Sequence, residues 1–193
     1  MSSSENPKAP RQYRVKAESE INEYVYCYLT AAKALERAEA KVPGYLFDCM
    51  VVTVFAAFSV EAYCNHLGAR KMPDTWDSWA DTEVKVIRLA AKVGLNVDWQ
   101  VRPFQGVRKV LKVRNRLAHG RTEKLTVQGL QRLRPDEDVR FPKRKWEAEC
   151  TPGAARRNFD DVETAIELLH KEAGEGRHPF SYSAGGSYSK GLP

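Results

Sequence analysis

Between Tyr45 and Leu67 the chain runs for more than twenty residues without a proline or a glycine, and its only formal charges are Asp48 and Glu61. No other segment constrains the fold as strongly. Val51, Val52, Val54 and Phe55 are β-branched or aromatic and suit a strand, but so long a stretch with no turn signal selects a helix. Through Val51-Val52-Thr53-Val54-Phe55-Ala56-Ala57-Phe58 that helix is apolar on nearly every side. A helix of this kind has to be enclosed by others. The longest uncharged run, Cys49 to Val60, has 12 residues, short of the roughly 20 needed to cross a bilayer. The expectation is therefore a central core helix rather than a membrane span.

The remaining segments supply its neighbours. A first helix is expected from about Val15 to Lys41, with Ile21, Tyr24, Val25, Tyr28, Ala32 and Leu35 on one face, ended by Pro43-Gly44. The central helix should stop at Gly68. A third helix is expected over Thr82–Val93, with Asp81 as N-cap and Gly94 beyond its end. A fourth starts near Pro103, a favoured first position, and runs to Ala118 or His119 before Gly120. The last is expected over Phe159–Glu172, capped by Asn158, with Asp160 and Asp161 facing its positive end.

This pattern predicts an all-α bundle of about five helices over residues 15–173, with a basic irregular insert at 121–157 before the last helix. Short strands are expected in that insert at Leu125–Val127 and Val139–Phe141. Residues 1–14 read as a flexible arm that lacks the apolar core of a signal peptide. The Gly/Ser-rich residues 174–193 read as a flexible tail. No glycine-rich phosphate loop follows a strand, which excludes Rossmann and P-loop nucleotide folds.

Charge is concentrated along the chain. The 193 residues hold 31 Lys and Arg against 25 Asp and Glu, a net of +6. Residues 102–157 alone hold 16 basic and 6 acidic side chains, so the rest is net acidic. Such a local excess favours a polyanion, either nucleic acid or an anionic membrane, though a solvated basic surface has the same composition. Cys27, Cys49, Cys64 and Cys150, and His66, His119, His170 and His178, are scattered singly. They make neither a disulfide framework nor zinc-ligand spacing. The expectation is a reducing, cytoplasmic setting, with no metal and no cofactor.

The fourth helix carries the informative side chains. Phe104, Val107, Leu111, Arg114 and Ala118 follow the core-facing period, so Arg114 stands where an apolar residue is expected. A guanidinium there needs an acidic partner or an opening. Glu61, misplaced in the apolar central helix, is the candidate partner. The pair either fixes helix register or orients Arg114 for function. Asn115 and His119 are four apart and share a face. Arg114 and His119 lie about 140° apart around the axis, so a twofold dimer, long side-chain reach or a frayed helix end is needed to bring them together.

Val113-Arg114-Asn115-Arg116-Leu117-Ala118-His119-Gly120 resembles the Arg-polar-x(3–5)-His signature of the HEPN superfamily. Val60-Glu61-Ala62-Tyr63-Cys64-Asn65 is similar to a segment on an early helix of several HEPN families. The resemblance implies a helical, homodimeric, metal-independent endoribonuclease, acting as a toxin or phage-defence effector. Arg114, Asn115 and His119 would be its catalytic residues, and Glu61 would support them. RNA would be cut by attack of its own 2′-hydroxyl, which a histidine and an arginine can assist by proton transfer and charge stabilisation. HEPN toxins paired with nucleotidyltransferase antitoxins often carry His-x-Tyr; here Arg121 stands at that position. Another antitoxin or regulatory protein remains an expected partner, and a non-catalytic HEPN binding or dimerisation module is the alternative. Arg108, Lys112, Arg116, Arg121, Lys143, Arg144, Lys145 and Trp146 are the candidate RNA contacts, by charge and by base stacking.

Overall fold

A computed structural model describes residues 14–19, 21–176, 178–181 and 186–191. They divide into two units. One contains a two-stranded antiparallel ribbon, β1 (Arg14–Ser19) on β2 (Gly186–Gly191), in register from Arg14 opposite Gly191 to Ser19 opposite Gly186. The other, Asn22–Ser181, is helical.

The ribbon corrects two expectations. Residues 15–19, 21 and 22 do not extend the first helix, and part of the tail is a strand. In Arg14–Ser19, Val15 and Ala17 alternate with polar residues, the two-residue period of extended chain. Its partner lies at the far end of the sequence, where local periodicity carries no information about it. Of the arm expected at 1–14, Arg14 instead begins β1, and residues 1–13 lie outside the described residues. The beginning of the expected tail is docked: Pro179 is buried, and Phe180 stacks on Tyr28 at 3.8 Å between ring centroids.

The helical unit holds α1 (Glu23–Glu39), α2 (Tyr45–Lys71), α3 (Thr82–Lys92), α4 (Phe104–Ala118) and α5 (Pro152–Glu172), with a 3-10 turn at Lys145–Glu149. The expected bundle of five helices is present. Helix α2 packs against α1, α3, α4 and α5, and α4 packs against α5. Val52, Ala56, Val60, Tyr63, Cys64 and Leu67 of α2 are all buried. Tyr63 meets Tyr24 of α1 edge to face at 5.2 Å, and Ser59 Oγ donates to the Tyr24 carbonyl at 3.1 Å. The twelve-residue uncharged run is thus only part of a 27-residue helix, one long and apolar enough to cross a membrane on length and composition alone. Here it lies at the centre of four other helices.

Several helix ends differ from their local signals because tertiary contacts override them. Helix α2 continues through Gly68, where a Cβ would fall 2.3 Å from the Trp76 ring. The glycine admits the tryptophan rather than ending the helix. Ile21 lies before α1 and is exposed. Asp81 occupies the N-cap of α3 without a side-chain capping bond.

Helix α5 begins at Pro152, with Thr151 Oγ1 accepting from the Ala154 N–H at 3.3 Å. The expected cap Asn158 is therefore inside the helix, buried, and donates to Glu149 at 3.1 Å. Asp160 and Asp161 consequently do not face the positive end. Asp161 is buried and accepts from Arg102 Nε at 2.7 Å. Gly106 permits that approach, since its Cβ would clash with the Asp161 side chain at 2.2 Å.

The insert from Gly120 to Arg144 is irregular, and neither expected strand forms. Instead the Gln131 amide takes both backbone groups of Arg140, donating to its carbonyl at 2.8 Å and accepting from its N–H at 2.9 Å. One side chain thus does locally what a neighbouring strand would have done. Val139 and Phe141 stay exposed.

Candidate functional site

Helix α4 divides the expected site residues between two sides. On one side, Arg114 Nη2 donates to Glu61 Oε2 at 2.7 Å and to Thr82 Oγ1 at 3.1 Å. The partnership expected from two misplaced charges is therefore present. Glu61 also accepts at Oε1 from Lys85 Nζ at 3.0 Å, and the Lys85 side chain is only 1% exposed. Burial pushes the Glu61 carboxyl up. The Lys85 hydrogen bond and charge, with the charge of Arg114, outweigh that and hold it below the ordinary range. The Arg114 guanidinium carbon also lies 5.9 Å from the centre of the half-exposed Phe58 ring.

Lys85 is the member that sequence reasoning missed. A signal for it existed: Thr82, Lys85, Val86, Leu89 and Ala90 are the buried positions of α3, and Lys85 interrupts their apolar spacing. A fully buried ammonium has to be paired, and Glu61 is its partner.

This cluster borders a cleft of about 470 Å³ between α4 and the N-terminal turn of α3. Arg114 and Asn115 line it, facing three carboxylates: Glu61, Asp81 and Glu83. The cleft is therefore acidic in balance, and a phosphate entering it would meet more like charge than opposite charge. His119 does not line it. His119 is the C-cap of α4, its N–H bonded to the Asn115 carbonyl at 3.0 Å, and it is exposed at the helix end. His119 thus lies outside the cleft that Arg114 and Asn115 line.

The basic side chains gather on the other side of α4. A groove of about 630 Å³ lies between α4 and the 142–149 segment. Lys109, Lys112 and Arg116 come from the helix, and Lys143, Arg144 and Lys145 from the insert. Glu123 and Glu149 are the only carboxylates in its lining, and Val113, Leu125, Pro142 and Trp146 form its apolar wall. Arg144 lies 5.7 Å from the centre of the Trp146 ring. A smaller cleft of about 330 Å³ shares Arg116, Glu123, Arg144 and Trp146 with the groove and continues past Leu117, Gly120 and Arg121. It thus reaches the chain on either side of His119.

Of the expected RNA contacts, Lys112, Arg116, Lys143, Arg144, Lys145 and Trp146 come together in the groove, and Arg121 lines its continuation. Arg108 does not join them; it faces Glu83 at 3.9 Å. Cys27, Cys49, Cys64 and Cys150 are all free thiols. Burial pushes Cys64 up to about 12 and Cys150 up to about 11, so both stay protonated at neutral pH. Among the described residues, no three His, Cys, Asp or Glu side chains cluster to hold a metal ion.

Comparison with protein families, with curated proteins and with solved structures finds no match for this chain.

Proposed function

We propose that this protein is a metal-independent endoribonuclease of HEPN type, acting as a homodimer in the cytoplasm as a toxin or defence effector. One observation carries the reading: the helix end that bears Arg114, Asn115 and His119 borders a groove in which six cations face two carboxylates beside the half-buried Trp146. The excess positive charge thus lies next to a side chain that can move a proton near neutral pH. In the reaction, His119 accepts the proton of an RNA 2′-hydroxyl as its oxygen bonds to the adjacent phosphorus. The bond to the 5′-oxygen breaks, and that oxygen takes up a proton from an imidazolium or from water. The products are a 2′,3′-cyclic phosphate and a 5′-hydroxyl. Arg114 and Asn115 stabilise charge on the phosphoryl oxygens, while Glu61 and Lys85 hold Arg114 in position.

The homodimer supplies what one chain lacks. Phe47, Val51, Val54 and Phe58 follow the helical period along α2, with Phe47 69% exposed and Phe58 39% exposed, and the stripe ends beside Arg114. A second copy covering that stripe would bring two α4 ends towards one composite site and would change the acidic balance at Arg114.

The alternative is a non-catalytic HEPN module that binds RNA or protein. It is favoured by the engagement of Arg114 with both Glu61 and Thr82, and by the separation of His119 from the Arg114 cleft.

The deciding experiment incubates the purified dimer with RNA in EDTA and analyses the ends produced. Cyclic-phosphate ends that vanish with His119→Ala, in a protein that still folds and dimerises, support the nuclease. Intact RNA after prolonged incubation with a folded dimer and its cellular partners overturns it.

A further inference from the structure

The groove between α4 and the insert combines two features that rarely serve the same purpose in a plain surface. Its wall is apolar and includes the half-buried indole of Trp146, over which the Arg144 guanidinium lies, while its rim is cationic on both sides. A solvated basic surface needs no apolar wall, and a simple packing defect would not be ringed by lysines. Its volume of about 630 Å³ lies within the roughly 300–1,000 Å³ of sites that hold a small planar ligand.

The cations of the rim are not all satisfied within the chain. Arg116 pairs with Glu123, Arg144 with Glu147 at 3.5 Å, and Lys109 with Glu149 at 3.6 Å. Lys112, Lys143 and Lys145 are exposed and make no ion pair among the described residues. Three unpaired ammonium groups around an indole suit a ligand with a planar apolar ring and anionic groups on either side of it. A single-stranded nucleic acid has that chemistry: a base stacks on the aromatic wall, and its flanking phosphates meet the lysines. An anionic membrane would need a protruding apolar face, whereas this wall is recessed. An acidic peptide would find the charge but would leave the indole wall without a flat partner.

We propose that this groove is the subsite that holds a single-stranded segment of RNA, with one base against Trp146 and its flanking phosphates on Lys112, Lys143 and Lys145. The proposal rests on the reading that the chain acts on RNA. It adds that the strand is gripped on the side of α4 away from Glu61 and runs past Gly120 towards His119. Specificity for unpaired RNA follows, because a base held in a duplex cannot reach the wall.

The test measures binding of a fluorescein-labelled single-stranded RNA of about 12 nucleotides by anisotropy, using His119→Ala protein so that cleavage does not consume the probe. Trp146→Ala is expected to weaken binding about tenfold. Because Trp146 also packs against the core, the exposed-rim variant Lys112→Gln/Lys143→Gln/Lys145→Gln is measured beside it. That variant is expected to lower the salt slope of binding by about 2, three phosphate contacts at about 0.7 each. Duplex RNA of the same sequence should bind more weakly, with no dependence on Trp146. RNA binding that is unchanged in both variants overturns the groove proposal and leaves the RNA reading standing. No RNA binding at all, or polyglutamate binding lost in the same variants, overturns both. Wild-type cleavage that persists unaltered in the rim variant overturns the groove proposal alone.

Discussion

On one side of α4, Arg114 and the buried Lys85 share a single carboxylate, Glu61, at 2.7 and 3.0 Å. On the other side, Lys112, Lys143 and Lys145 stand exposed around Trp146 with no ion pair among the described residues. The same helix therefore holds cations in two regimes. Where water is excluded, a charge is tolerated only with a partner, so its position records what the fold needs. Where water solvates the charge, no partner is needed, and the side chain is free to meet a ligand. The residue types are alike on both sides, and burial separates their roles. Arg114, the most conspicuous residue in the sequence, belongs largely to the structural regime. The less conspicuous lysines belong to the available one. His119, at the helix end between them, belongs to neither.

The largest expected effect tests that middle position. His119→Ala should lower RNA cleavage by about 10²–10⁴-fold, the usual contribution of a positioned acid or base. Its exposure predicts a stability change within about 0.5 kcal/mol. A full loss of activity caused by unfolding would place His119 in the structural regime instead.

Next comes the paired side. Glu61→Ala removes the counter-charge of buried Lys85 and should cost about 3 kcal/mol in denaturant unfolding. Lys85→Met should cost much less, since it removes the ammonium along with its need for a partner. The double variant should recover part of the loss. Additive losses would show that Glu61 acts through something other than Lys85.

The same carboxyl gives a pH signature. Its pKa is lowered in the folded protein, so the unfolded chain takes up the proton first as pH falls. Its contribution to stability is therefore present above the ordinary carboxylate value of about 4.3 and is lost as pH falls through the lower folded value. Stability measured from pH 6 down should fall less steeply with Glu61→Gln than with the native residue. An unchanged slope would mean that Glu61 is not held in its charged form by Lys85 and Arg114.

The smallest effect is expected on the open side. Lys143→Gln should alter unfolding free energy by less than about 0.5 kcal/mol. A loss comparable to that of Glu61→Ala would abolish the distinction between the two sides.

How much of this was legible in the sequence depends on how far each signal reached. Helix α3 and helix α4 were readable to within a residue or two, because their apolar spacing and the glycines beyond them are local. The Glu61–Arg114 pair was readable too, since a charge in an apolar stripe has to be answered by another. The third member, Lys85, was readable in principle, because it breaks the spacing of α3 in the same way. What misled were residues with two meanings. Gly68 reads as a helix stop, yet it is the small residue that lets Trp76 lie against α2. Asn158 reads as a cap, yet Thr151 and Pro152 start that helix a full two turns earlier. In each case a contact distant in sequence decided between meanings that the local pattern left equal.

By itself the sequence determined that so apolar a helix would pack against several others, and α2 does bury Val52, Ala56, Ala57 and Val60 among them while leaving Phe47 and Phe58 exposed on one face. It also determined that the positive charge would fall on α4 and the insert behind it. Only the tertiary structure decided which of those charges are spent. Packing α2, α3 and α4 together buried Lys85 and committed Glu61 and Arg114 to it. Folding the insert back along α4 left Lys112, Lys143 and Lys145 in water around Trp146. Charge is a property of the residue, but its availability depends on the dielectric and the partners around it, and these exist only once distant segments have met.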